Sequence, residues 1–91
     1  MPLVIDREAK SVIVNGTECP LSPRQFSVLE LLATGRVVTR AELIQHAGLQ
    51  GLSDRRCEGI LLGLRKIIGD DAIVNLRKRG WRLLPETELV D

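Results

Sequence analysis

At 91 residues, with 44% hydrophobic and 27% charged residues, the chain has the length and composition of one small globular domain with little room for a deep catalytic cleft. No apolar run approaches the roughly 20 residues that span a bilayer, and no signal peptide is visible, so we expect a cytoplasmic protein without a membrane segment. The net charge of the chain is only +1. Residues 53–82, however, carry eight basic and four acidic side chains, whereas the charges of residues 1–52 sum to zero. This local excess of positive charge is typical of a surface that binds a polyanion.

The N-terminal part of the chain, residues 2–21, predicts a small antiparallel sheet. Residues 3–5 and 12–14 are short runs rich in β-branched side chains, which favour strands. Asn15 and Gly16 follow the second run and are typical of a two-residue hairpin turn. We expect the chain to return from this turn as a third strand.

Three helices are predicted next, at about residues 22–34, 39–47 and 53–69. Ser22 and Thr39 each stand three residues before a Gln or Glu, the pattern of a capping box at a helix start. The third helix is the longest, and its apolar residues recur at the spacing of one buried helical face. These apolar residues are Cys57, Ile60, Leu61, Leu64, Ile67 and Ile68.

Residues 72–84 predict a β-hairpin whose turn carries Arg77, Lys78 and Arg79. We expect Trp81, at the base of this hairpin, to be part of the core rather than a stacking platform. With the second and third helices as a helix-turn-helix and the hairpin as a wing, the fold class is α+β, a winged helix-turn-helix. We expect residues 1–91 to form a single domain of this class.

Several segments resemble the OmpR/PhoB-type effector domain, the DNA-binding part of many two-component response regulators. They are residues 21–29, 35–43, 64–66 with 69–70, and 77 with 80–83, in the family's order. The resemblance implies a bacterial transcription regulator without a cofactor, with the third helix in the major groove of double-stranded DNA and the wing on the backbone or minor groove. It also implies RNA polymerase, or a second copy on tandem half-sites, as a further partner.

The predicted DNA-binding residues lie on the third helix and the hairpin. They are Arg55, Arg56, Gly59, Leu62, Gly63, Arg65, Lys66, Asn75, Arg77, Lys78 and Arg79. The middle of the helix departs from the family, because Gly59, Leu62 and Gly63 stand where polar or basic residues are usual. We expect these three to face the bases, where they offer no hydrogen-bonding side chain, so direct base readout should be poor.

Other features of the sequence leave a smaller set of alternatives. Cys19 and Cys57 stand apart from other metal ligands, and we expect reduced thiols, with a disulfide between them as the alternative. His46 has no partner at ligand spacing, so we expect a surface or capping residue rather than a metal ligand, and no catalytic set is visible, so we expect no enzyme. Two other functions remain open: a winged helix used for protein contact, and an accessory regulatory domain excised from a larger enzyme or regulator. A salt-dependent affinity for DNA separates the first of these from DNA binding.

Overall fold

The computed structural model describes residues 3–90. Residues 1, 2 and 91 lie outside the described residues, and with them residue 2, the first residue of the predicted N-terminal sheet. Its elements follow the predicted order of strands, three helices and a hairpin, with one further strand at the end. They are β1 (Leu3–Asp6), β2 (Ser11–Val14), β3 (Thr17–Pro20), α1 (Pro23–Leu32), α2 (Arg40–His46), α3 (Asp54–Ile68), β4 (Ile73–Leu76), β5 (Gly80–Leu83) and β6 (Thr87–Val90). The predicted fold class is confirmed.

The N-terminal sheet has the strand order β3-β2-β1-β6. β1 pairs with β2, and β2 with β3, in antiparallel registers. Asn15 and Gly16 form the predicted turn between β2 and β3 with φ values of 52° and 81°, which fits a two-residue hairpin. Leu3, Ile5 and Val12 are buried, so this sheet covers one side of the core.

The strand β6 is absent from the sequence prediction, which places no strand after the hairpin of residues 72–84. β6 pairs with β1 in parallel, so the sheet is mixed rather than purely antiparallel. The backbone N–H of Leu3 donates to the carbonyl of Glu86 at 2.7 Å, and that of Arg7 donates to Val90 at 2.8 Å. No residue of β6 is fully buried, so its sequence does not alternate between apolar and polar residues as a half-buried strand would. The strand therefore could not be predicted from the sequence pattern.

Local side-chain hydrogen bonds begin the helices. Ser22 accepts from the backbone N–H of Gln25 at 3.1 Å, and the Gln25 side chain accepts from the N–H of Ser22 at 3.0 Å. Thr39 and Glu42 exchange the same pair of bonds at the start of α2, at 3.1 and 3.3 Å. Both predicted capping boxes are therefore confirmed, and Ser53 caps α3 by accepting from the third helical N–H.

The predicted buried face of α3 packs on the core. Cys57, Leu61, Leu64 and Ile68 are buried, while the predicted positions Ile60 and Ile67 lie partly buried at the edges of this face. Trp81 is only 4% exposed, which confirms its predicted core position.

The wing is joined to the link between α1 and α2 by a backbone bridge. Val38 N–H donates to the Trp81 carbonyl at 2.8 Å, and Trp81 N–H donates to the Val38 carbonyl at 2.9 Å. Gly80 has a φ of +135°, and a Cβ there would overlap the Val38 carbonyl. Only glycine therefore permits this close approach of β5 to the link.

Within residues 3–90, no helix is long and apolar enough to cross a membrane. The same residues contain no group of three or more His, Cys, Asp or Glu side chains placed to hold a metal ion. Cys57 is buried and Cys19 is partly buried, and both are free thiols.

Candidate nucleic-acid interface

One side of α3 faces away from the core along its whole length. With about 3.6 residues per turn, the side opposite the buried residues carries Arg55, Gly59, Leu62 and Lys66. All four are exposed, and Leu62 is 51% exposed. Arg56, at the flank of this side in the first turn, is exposed as well. These five predicted positions therefore lie on the outward side of α3 or at its flank.

Gly63 and Arg65 lie elsewhere than the sequence suggests. Gly63 is partly buried, and a Cβ there would stand 3.1 Å from the Gln25 side-chain nitrogen of α1, so this position faces α1 rather than the outward side. Arg65 is partly buried, and its Nε donates to the Ile73 carbonyl of β4 at 3.1 Å. This hydrogen bond joins α3 to the wing, so Arg65 has a structural role. The helical spacing of residues in the sequence does not indicate that role.

The turn of the wing presents its three cations to solvent. Arg77, Lys78 and Arg79 are all exposed, and the N–H of Arg79 donates to the Leu76 carbonyl at 2.8 Å to close the turn. Lys78 has a φ of 65°, a left-handed conformation that favours glycine over lysine. Asn75 precedes the turn on β4 and is also exposed.

Two open clefts border the wing, one toward α3 and one toward the start of α2. The first lies between α3 and the wing and brings together three predicted site residues, Leu62, Arg65 and Asn75. Its complete lining is Glu58, Leu61, Leu62, Arg65, Asn75 and Trp81. The second is lined by Thr39, Arg40 and Ala41 from α2 and its cap, and by residues 75–81 of the wing. Because Asn75 and Trp81 line both clefts, the two clefts adjoin and connect Leu62 and Arg65 of α3 with the wing turn.

Arg40 lines the cleft beside the wing and is not among the predicted DNA-binding residues. Its guanidinium pairs with Asp54 at 2.9 Å and with Glu58 at 3.1 Å, and it lies 5.5 Å from the centre of the Trp81 ring. Burial opposes the charge, but the hydrogen bonds to Glu58 and Asp54 outweigh it and raise the pKa of Arg40. Because α2 and α3 meet only in the folded chain, no local sequence pattern reveals this contact.

The contacts of Arg40 change the electrostatic character of α3. Asp54 and Glu58 are the acidic residues of this helix, and both are paired with the same guanidinium. The charge that would repel a polyanion is therefore partly neutralised from within the domain.

A second arginine–carboxylate contact lies at the start of α2, between Arg36 and Glu42. The hydrogen bond from Arg36 is the main cause that lowers the pKa of Glu42, and the hydrogen bond from the Thr39 backbone is the second.

The cations of the described residues divide into two groups. Arg7, Arg36 and Arg40 form ion pairs, Lys10 lies over the Phe26 ring, and two arginines donate to backbone carbonyls. Within residues 3–90, seven others have no such contact, and six of these are on α3 or the wing turn. These six are Arg55, Arg56, Lys66, Arg77, Lys78 and Arg79.

The seventh of these cations is Arg24, on the first turn of α1. It lines a shallow hollow together with Arg56 and Gly59 of α3. Arg24 therefore extends the basic surface beyond α3 toward α1. No sequence pattern indicates Arg24, because its proximity to α3 depends on the packing of α1 against that helix.

A helical pair whose second member lies beside a two-stranded wing defines a winged helix-turn-helix domain. No protein-family model and no curated protein sequence matches the chain. Among solved structures, the DNA-binding domain of Escherichia coli CadC is similar, with 25% identity, a TM-score of 0.72, and coverage of 86% of this chain and 81% of that one. The Klebsiella pneumoniae RstA DNA-binding domain, in complex with the RstA box, has 29% identity and a TM-score of 0.74 over 89% of each chain.

The DNA-binding domain of the response regulator AdeR, solved in complex with an intercistronic region, has a TM-score of 0.78. It covers 91% of this chain and 94% of its own length at 23% identity, which shows the shared fold alone. Together these structures confirm the resemblance that the sequence motifs indicate. The chain has the winged-helix architecture of OmpR/PhoB-type DNA-binding domains.

Proposed function

We propose that this chain is the DNA-binding domain of a transcriptional regulator and that its partner is double-stranded DNA. The observation that carries the proposal is the placement of six cations, which form no ion pair with any residue of 3–90, on one exposed helix side and the adjacent wing turn. An α-helix fits the major groove, which is about 12 Å wide. In the proposed complex α3 enters this groove, and Arg77, Lys78 and Arg79 contact phosphates or the minor groove beside it.

The binding energy in this proposal comes mainly from phosphate contacts. Lysine and arginine that neutralise phosphates release condensed counterions, which favours binding at low salt without reading the sequence. Arg55 and Arg56 lie in the first turn of α3 and Lys66 in its last turn, so the helix carries exposed cations near both ends. The ion pairs of Asp54 and Glu58 with Arg40 reduce the repulsion that these carboxylates would otherwise add.

The family resemblance also implies partners beyond the duplex itself. A second copy on a tandem half-site, and RNA polymerase, stay predictions of that resemblance. Sedimentation of the domain with duplexes that carry one or two selected half-sites would measure how many copies bind.

The experiment that tests the proposal is a titration of a duplex with the domain at several salt concentrations, in the wild type and in the variant Arg77→Ala, Lys78→Gly, Arg79→Ala. Glycine is used at position 78 because the backbone there has a positive φ. Each lost phosphate contact should reduce the salt slope by about 0.9, so the variant should lose up to ~2.7 of slope and bind all sequences more weakly.

The single tryptophan supplies the folding control for this experiment. Trp81 is buried at the base of the wing, so its fluorescence reports whether the variant still folds. A folded variant with an unchanged salt slope would show that the wing does not contact the backbone. Absence of any binding by the wild type at low salt would refute DNA binding itself.

A further inference from the structure

The middle of the outward side of α3 presents one side chain. Gly59 contributes none, and the next residues of the helix, Ile60 and Leu61, turn toward the core. Leu62 is therefore the one outward side chain between Arg55, in the first turn, and Lys66, in the last, and half of its surface is exposed. Glu58 lies beside it at the edge of this side, in an ion pair with Arg40. This pattern differs from a scattered surface leucine, because cations without ion pairs stand on both sides of it.

The space at Gly59, on the outward side next to Leu62, is open. A Cβ at Gly59 would meet no atom within 4 Å, so no packing inside the domain requires glycine there. Gly63 is turned toward Gln25 and does not fill the space on the other side. The absence of a side chain at Gly59 permits a close approach of the helix backbone to a surface, with Leu62 as the group that reaches farthest.

The chemistry of the major groove restricts what an isobutyl group can contact there. Each base edge presents hydrogen-bond donors or acceptors, and thymine adds a C5-methyl group, the only apolar group on the groove floor. Placing Leu62 over a donor or acceptor would desolvate that group without replacing its hydrogen bond, which is unfavourable. Placing it over a thymine methyl buries two apolar groups together.

We infer that Leu62 is a specificity-determining residue that contacts the C5-methyl group of thymine in the major groove. This inference rests on the proposed function, since it assigns a base contact within the same DNA complex. The domain should therefore favour A·T-containing steps beneath the centre of α3, although Gly59 and Leu62 offer no hydrogen-bonding side chain there. At these base pairs the domain would recognise the shape of the duplex and one thymine methyl group instead of hydrogen-bonding groups of the bases.

The test compares two 20-base-pair duplexes, alternating d(AT) and the same sequence with deoxyuridine in place of thymidine. The two differ by the C5-methyl groups and keep the same hydrogen-bonding edges. The wild-type domain should bind the uracil duplex about fourfold more weakly, the value expected for one buried methyl-sized group. Leu62→Ala should bind both duplexes equally, because the contacting side chain has been removed.

A matched control is available at Leu84, a leucine that is 57% exposed and lies outside α3, directly after β5. Leu84→Ala should keep the thymine-to-uracil ratio of the wild type. Equal binding of both duplexes by the wild type, or an unchanged ratio in Leu62→Ala, would overturn the inference and favour a protein contact for Leu62. Absence of binding to either duplex would instead refute the proposed function, and with it this inference.

Discussion

Two lysines of this domain share an uncommon backbone conformation and differ mainly in location. Lys78 at the wing turn and Lys10 at the turn between β1 and β2 have φ values of 65° and 57°. Replacing either with glycine removes one positive charge and relieves the same left-handed strain. The variants Lys78→Gly and Lys10→Gly therefore form a matched pair that tests where the DNA-binding surface lies.

The expected loss of affinity follows from counterion release. If Lys78 neutralises one phosphate, Lys78→Gly should lower the salt slope by about 0.9. If the variant and the wild type bind equally at 1 M salt, the lost slope makes the variant bind about eightfold more weakly at 0.1 M salt. This loss corresponds to roughly 1.2 kcal/mol of binding free energy. Lys10→Gly should leave both the slope and the affinity unchanged, because that turn belongs to the N-terminal sheet rather than to α3 or the wing.

The stability of the same variants provides the internal control. Relief of the left-handed conformation favours glycine by about 1 kcal/mol, partly offset by the greater freedom of glycine in the unfolded chain. Lys10→Gly should gain less than Lys78→Gly, because the ammonium of Lys10 lies 4.6 Å from the centre of the Phe26 ring and this contact would be lost. Fluorescence anisotropy with a labelled duplex and urea unfolding measure the two quantities. Equal losses of DNA affinity in both variants would refute the assignment of the wing to the interface.

Three further predictions concern glycines. Gly80→Ala should lower the free energy of unfolding by about 2 kcal/mol or more, because the new Cβ overlaps the Val38 carbonyl and disrupts the backbone bridge to Trp81. Gly59→Ala should raise it by about 0.5–1 kcal/mol, the ordinary gain of alanine over glycine in a helix. Gly63→Ala should gain less, since its Cβ would stand 3.1 Å from the Gln25 amide that caps α1.

Urea unfolding followed by Trp81 fluorescence measures all three glycine variants. A Gly80→Ala protein as stable as the wild type would contradict the close approach of β5 to the link before α2. Equal gains at Gly59 and Gly63 would show that the Gln25 side chain moves aside without loss of the capping box.

Much of the fold could be predicted from the sequence because its signals are local. The capping boxes at Ser22 and Thr39 join residues three apart, so their hydrogen bonds depend only on the first turn of each helix. The spacing of apolar residues in α3 identifies its buried side for the same reason. β6 was missed because its pairing with β1 depends on backbone bonds between distant ends of the chain, without a buried side-chain pattern.

The candidate site was predicted in outline and corrected in detail. The sequence by itself determined that cations concentrate on α3 and the hairpin turn and that the middle of α3 is poor in polar groups. Only the tertiary structure decided which of these groups are free. It directs Gly63 to α1, binds Arg65 to the Ile73 carbonyl, and pairs Arg40 with the acids of α3. The physical reason is range: helix periodicity and capping act over a few residues, whereas these contacts join segments that meet only when the core has formed.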